Sequence, residues 1–510
     1  MKDIVFFTAK NGAQTCAIQN CHIHSAYDPQ REAERFVQTI APSFVPSCIV
    51  VVEPALSYCV QPLHERFPNA KLIAVRLEPR FKDTDVLWHT VFDCTDKVQA
   101  ERLGERLFSC IGDQLAACVF VDWKPAASLY PELHTLVWQQ IQYAVSKNTD
   151  VLATQAYFAK RWIRNAVRLC VTANTTVRCS AGTQPVLFCA SGPSLTRSIP
   201  FIAQYRDDFF LLAASSAYEP LAFAGIVPDA CISTDGSFWA KKHIRTCSVP
   251  LIVSAESALP CQALSALPLA VLRYGDSLET LFLDSCHIPA YTAVRNGTVS
   301  GTAIEFALTL TSGPVYACGL DLCTAKGQQH AQPNCLETDD SLCDFRLTPA
   351  ATRTVHRECN AQPIALYRRW FCDNSERFAA RVSRIFDQDT LNCGTAVLGC
   401  IPDIAWRDYA EGRIYAYTKP KLRSVSIPAN SKKRAKTICS LFAQGMRLIQ
   451  QDTDSPQAGM WLSSLIPAAY AAYAREPDKS RLKADITQKA AESIAELTAY
   501  AKRCAGSTAQ

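Results

Sequence analysis

Residues 187–200 read LFCASGPSLTRSIP: an apolar run, a Gly-Pro-Ser turn, and then the start of a helical pattern. A strand ending at Ala190, a turn of small residues and a helix form the arrangement with which many α/β proteins hold a phosphate, because backbone N–H groups at a helix start favour an anion. The spacing is neither G-x-x-x-x-G-K-[ST] nor G-x-G-x-x-G, so neither a P-loop nor a dinucleotide fingerprint is present. Gly192 permits close backbone approach. Pro193 presets a helical φ, and Ser191 or Ser194 supplies a capping oxygen or a ligand hydroxyl. Taken alone, the segment is equally compatible with a plain βα turn.

Its surroundings decide the fold. Short apolar runs follow at VLFCA (186–190), FFLLAAS (209–215), DACISTD (229–235), PLIVSA (250–255), LAVLRYG (269–275) and PVYACGLDL (314–322), with helical patterns between most of them. Strands alternating with helices predict a doubly wound parallel sheet, with ligands expected beyond the C-terminal strand ends. On that expectation the candidate binding residues are Ser191, Gly192, Pro193, Ser194, Ser215, Asp229, Gly297, Thr298, Ser300 and Asp321. Asp229 opens a strand and Asp235 closes it. NGTVSG (296–301) makes a second small-residue turn into a helix, and Asp321 follows a further strand. Asp235, His330 and His356 are the candidate catalytic groups, since a histidine near neutral pKa suits deprotonation of an acceptor hydroxyl. The two histidines are not separable from sequence. No H-E-x-x-H or strand-terminal D-x-D occurs, so no metal site is expected.

The 510 residues imply two or three domains, at ~150–200 residues each. The expected boundaries are an N-terminal α/β domain (1–155), a central catalytic domain (156–425) and a C-terminal helical region (426–510). With 48% hydrophobic and 19% charged residues the balance is globular, and a net charge of +5 gives no footprint for nucleic acid. No secretory signal pattern and no apolar run long enough for a membrane span is visible, so a cytoplasmic protein is expected. The 24 cysteines form no C-x-x-C pair and sit among apolar neighbours, reading as reduced, buried small hydrophobes. In the first domain Asp28-Pro29 reads as a helix start, and EPALSY (53–58) occupies the place of a Rossmann glycine turn without any glycine. The basic run SKKRAK (431–436) reads as a solvated helix face, or a surface for a membrane or partner.

In order along the chain, CASGPSL, SSAYEPLAFAGIVPDACISTD, NGTVSGTAIEFAL and VYACGLDL resemble the motility accessory factor (Maf) proteins, a family also catalogued as 6-hydroxymethylpterin diphosphokinase MptE-like. HSAYDPQREAERF and WKPAASLYPELH extend the resemblance towards the N-terminus, so that it covers roughly residues 1–425. The resemblance implies a Rossmann-like, sialyltransferase-like core and transfer of a nonulosonic acid (sialic, pseudaminic or legionaminic type) from a CMP-activated donor to Ser/Thr of flagellin or another secreted filament protein. It implies no further cofactor. By it, Gly192, Pro193 and Ser194 hold the nucleotide or its phosphate, and Asp235 and Ser215 line the donor pocket. Thr298 and Ser300 approach the sugar carboxylate or phosphate, Asp321 closes the crevice, and His330 or His356 is the base. Two alternatives stand beside it: ATP-dependent pyrophosphoryl transfer to a pterin alcohol, and a non-catalytic scaffold for flagellar assembly.

Overall fold

A computed structural model describes residues 4–18, 21–127, 129–275, 277–322, 330–342, 344–347, 349, 362–386, 397–413 and 416–507. The chain forms two compact units: residues 1–157 with 466–489, and residues 158–465 with 490–510.

The first unit contains an antiparallel sheet of β1 (Ile4–Thr8), β2 (Gln14–Ile18) and β3 (Cys21–His22). Beside it stands a parallel sheet of β4 (Cys48–Val52), β5 (Lys71–Arg76), β6 (Thr90–Asp93) and β7 (Cys118–Asp122), in the order β6-β5-β4-β7. Every residue of β4 is buried, as a parallel strand covered on both faces requires. Its alternate side chains serve different cores: Cys48, Val50 and Val52 face Val137, Ile141 and Ala144, while Ile49 and Val51 face Ala33 and Val37. The Pro29–Gln38 helix that supplies Ala33 and Val37 is started by Asp28, whose carboxylate accepts the Arg31 N–H at 3.0 Å.

The turn after β4 closes on itself. Glu53, Ala55 and Ser57 adopt left-handed φ values of 46°, 48° and 61°, which Cβ-bearing residues rarely hold without support. The support comes from the Glu53 carboxylate, which accepts the N–H groups of Ala55 (3.0 Å), Leu77 (2.7 Å) and Glu78 (2.8 Å). Arg76 neutralises it at 3.1 Å and reaches the Ala55 carbonyl, the Ser57 and Thr84 hydroxyls and Asp85. Both charged groups are buried.

The second unit is built on an 11-stranded sheet. Its strands are β8 (Thr175–Ser180), β9 (Val186–Cys189), β10 (Phe210–Ala214), β11 (Ala230–Ser233), β12 (Leu251–Ser254), β13 (Leu269–Arg273), β14 (Ala290–Thr292), β15 (Val315–Cys318), β16 (Val382–Ile385), β17 (Asp403–Ile404) and β18 (Lys421–Ser426). The order is β17-β16-β15-β9-β10-β11-β12-β13-β8-β18, with β14 also on β13, and only β18 runs antiparallel. All six runs expected as strands from Val186 onward are strands, and they are parallel. The chain steps from β9 through β10 to β13 on one side, then crosses to β15 on the other. The topological switch point therefore lies between the C-terminal ends of β9 and β15, where the opening turn is.

One long helix, Pro131–Thr172, follows the first unit's sheet, and its residues from Phe158 onward belong to the second unit. The Ser431–Gln451 helix does begin at the basic run, but Arg434 is not a solvated charge. It is buried and donates to the carbonyls of Cys170 (2.6 Å) and Val171 (2.8 Å), a cation placed on the C-terminal carbonyls of the long helix. Residues 426–465 and 490–510 fall in the second unit and 466–489 in the first. The described cysteines are free thiols, and they include buried neighbours such as Cys189 and Cys318, 3.4 Å apart on β9 and β15. No helix among the described residues is long and apolar enough to cross a membrane.

Candidate active site at the switch point

The two turns flanking the switch point are bonded to each other. Gly192 N–H donates to the Gly319 carbonyl at 2.8 Å, and Ala190 N–H to that of Cys318 at 2.9 Å. A Cβ on Gly192 would lie 2.5 Å from the Gly319 oxygen, so glycine is required there by close approach of the two backbones. The Ser194 N–H donates to Asp321 Oδ2 at 2.8 Å and its hydroxyl donates to Oδ1. Asp321 is thus the anion seated at the start of the Leu195–Gln204 helix, and the Gly192-Pro193-Ser194 turn is satisfied within the chain. Burial raises the Asp321 carboxyl, and the Ser194 hydrogen bonds with Arg384 nearby work against that rise.

Ser191 stays on the crevice side. Its hydroxyl accepts from Ser216 at 2.7 Å, and Ser216 follows Ser215 in the first turn of the Ser215–Phe223 helix after β10. Its carbonyl accepts the Ala331 N–H at 2.8 Å, which brings His330 to the switch point. His330 is held twice by Glu337: its N–H donates to Oε1 at 2.7 Å and its Nδ1 lies 3.1 Å from the same oxygen. Burial pushes the Glu337 carboxyl up, but the bonds from His330 and Gln332 outweigh it and its pKa sits below the usual carboxylate value. With Nδ1 carrying the proton towards Glu337, Nε2 of His330 is the basic nitrogen.

A group absent from the sequence reading completes this corner. His243, on the Ala240–Ile244 helix after β11, lies 6.5 Å ring to ring from His330, with its Nδ1 3.5 Å from the Cys335 thiol. Burial and the neighbouring His330 push His243 down to about 4, so it is neutral near pH 7; Asp235 acts in the opposite sense. Asp235 is exposed beyond β11, its carboxylate accepting the Ser237 N–H (2.7 Å) and hydroxyl (2.9 Å). Further along the same edge, Glu256 after β12 is buried and paired with Arg295 at 2.8 Å, and Arg295 stacks 4.3 Å over the Tyr274 ring.

Gly297, Thr298 and Ser300 begin the Val299–Leu310 helix, which packs against β9, β10 and β15. Its entry loop leaves the C-terminal end of β14 and carries Arg295, so this helix start belongs to the same edge. Gly297 has a φ of 74°. A Cβ on Gly301 would meet the Trp370 ring at 2.7 Å, so that ring covers the first helical turn.

One expected binding residue is misplaced by the sequence reading. Asp229 stands at the N-terminal end of β11, where it accepts the Leu211 N–H at 2.7 Å and pairs with Arg206 at 3.0 Å. In a parallel sheet that is the edge opposite the crevice, beside a separate cleft of about 530 Å³ lined in part by Gln184, Arg206 and Lys419. Its role there is to tie β10 to β11. His356 lies outside the described residues.

Three comparisons bear on this arrangement. Residues 160–327, which include the turns at 191–194, 235–237, 297–301 and 321, match the family model described as 6-hydroxymethylpterin diphosphokinase MptE-like. An uncharacterized protein of Treponema pallidum (strain Nichols) is 31% identical over 288 residues; the match covers 56% of this chain and 64% of that protein, under two thirds of its length. The structure of a MAf glycosyltransferase from Magnetospirillum magneticum AMB-1 superposes with a TM-score of 0.52, at 12% identity, over 99% of this chain and 92% of that one. At that identity the likeness is one of fold. The resemblance read in the sequence therefore holds: residues 160–327 carry an MptE-like domain, within a chain that shares the overall fold of a Maf protein.

Proposed function

We propose that this chain is a glycosyltransferase that moves a nonulosonic acid from a CMP-activated donor to a Ser or Thr hydroxyl of flagellin or a related filament protein, in the cytoplasm before export. The carrying observation is the His330–Glu337 pair seated against Ser191 at the switch point. In this reading His330 Nε2 takes the proton of the acceptor hydroxyl as its oxygen attacks the anomeric carbon. The bond from that carbon to the phosphate oxygen breaks, and CMP leaves with the electron pair. Glu337 stabilises the imidazolium that forms, and His243, neutral beside it, adds no opposing charge. Ser191, Ser215, Asp235, Thr298 and Ser300 line the donor site, while Gly192, Pro193, Ser194 and Asp321 shape its floor.

The test is incubation of the purified chain with CMP-activated nonulosonic acids and flagellin, followed by intact-mass analysis. A mass gain equal to the sugar residue, lost with His330→Gln, is expected; an unmodified acceptor with every donor contradicts the reading. The family model's description favours a second reading, pyrophosphoryl transfer from ATP to a pterin alcohol. Formation of AMP from ATP that depends on 6-hydroxymethylpterin would select it.

A further inference from the structure

With the Gly-Pro-Ser turn bonded to Asp321, a donor phosphate needs positive charge from elsewhere, and the crevice wall beyond β11 holds it. The long helix places Arg161 and Arg168 seven positions apart, on one face. Of its other basic residues, Lys160 and Arg164 are taken by Glu496. The short helix after β11 sends Lys242 to Asp339, while Lys241 is within electrostatic reach of Arg168 and Arg161. Among the described residues no carboxylate pairs with Arg168 or Lys241. Arg168 donates to the Asn165 side-chain oxygen at 3.4 Å and lowers the Tyr500 and Cys504 groups of the Ser480–Ser507 helix electrostatically, while its Nε is buried without a partner. Lys241 sits 5.2 Å over the Phe238 ring. Burial first, then Arg168, pushes the Lys241 ammonium down, with Arg161 adding to this and Cys261 acting against it.

The cluster borders the crevice. Asn165 donates to the carbonyls of Gly236 (3.3 Å) and Glu256 (2.9 Å), and a Cβ on Gly236 would lie 2.4 Å from the Trp162 ring, so the helix rests on the turn that carries Asp235. Phe238 and Trp239, each 56% exposed, stand beside it, the Trp239 ring with Lys242 4.7 Å over one face.

We propose that Arg168 and Lys241, with Arg161 beside them, form the phosphate site of this crevice and take the phosphate of a nucleotide whose base stacks on Trp239. The nucleotide's identity rests on the glycosyltransferase reading; the phosphate site does not. The test is calorimetric titration of the full chain with CMP, cytidine and inorganic pyrophosphate. Wild type should bind CMP and pyrophosphate, and Arg168→Met/Lys241→Met should weaken both by roughly tenfold or more. Arg164→Met, already paired with Glu496, should weaken neither. Trp239→Ala should weaken CMP and spare pyrophosphate, and Arg168→Lys/Lys241→Arg should restore binding if charge is what matters. Pyrophosphate bound and lost on substitution, with no CMP binding, would keep the phosphate site and sink the CMP donor. Unchanged binding in the double Met variant, or no binding of either ligand to wild type, would overturn the proposal.

Discussion

Strands β4 and β9 hold equivalent places in two parallel sheets. Each is fully buried, and each lies at a switch point, next to β7 and β15 respectively. Each ends in a turn whose N–H groups are taken by a carboxylate of the chain itself, Glu53 in one and Asp321 in the other. They differ in what surrounds the carboxylate. Glu53 has Arg76 in contact, and every hydrogen-bonding group of that guanidinium is itself occupied. Around Asp321 the sheet edge keeps groups directed outward: Ser191, the His330–Glu337 pair, Asp235, and cations without carboxylate partners. Topology says where a crevice can form; the completeness of the local charge pairing says whether it is sealed.

The comparison can be broken most sharply at Arg76. Arg76→Met would strand the buried Glu53 charge and should cost about 3–5 kcal/mol in denaturant unfolding, with Glu53→Gln added to it recovering part. A loss below about 1 kcal/mol would mean that the first turn is not sealed by this pair. In the second unit, the proposed role of His330 as base in a partly exposed loop predicts that His330→Gln lowers kcat by roughly 10²-fold or more with little change in Tm. Asp321→Ala and Gly192→Ala act on the floor. The first orphans the Ser194 N–H and the second forces two backbones apart, each costing about 1–3 kcal/mol. The smallest effect belongs to His243. Its folded pKa of about 4 lies below the ordinary 6.5, so on acidification the unfolded chain takes a proton that the folded chain refuses. Stability should therefore fall as pH drops from about 6.5 to 4, and His243→Asn should flatten that stretch of the stability curve.

Much of the framework was legible because it is written locally. The six strands after Val186 are short β-rich runs between helical patterns, and Asp28-Pro29 announces its helix with two residues. Positions at the crevice edge were legible where a residue sits on a turn at a strand end, as with Ser191, Asp235 and Asp321. Asp229 shows the limit of that rule, because a residue's strand is local information but the edge it serves depends on which end it occupies. The groups missed altogether are long-range. Cys335 meets His243 across 92 positions, and Asn165 of the long helix meets Gly236 in the turn after β11 across 71. The Ser194–Asp321 bond spans 127 positions, which is why the opening turn reads as a vacant phosphate cradle until the structure supplies its occupant.

The contrast between the two turns is the central claim, and hydrogen exchange followed by mass spectrometry with and without CMP tests it most directly. The account predicts slower exchange on CMP addition in the peptides around 161–170, 188–197 and 234–243, and no change around 48–58. Protection at 48–58, or none in the second unit, would contradict it.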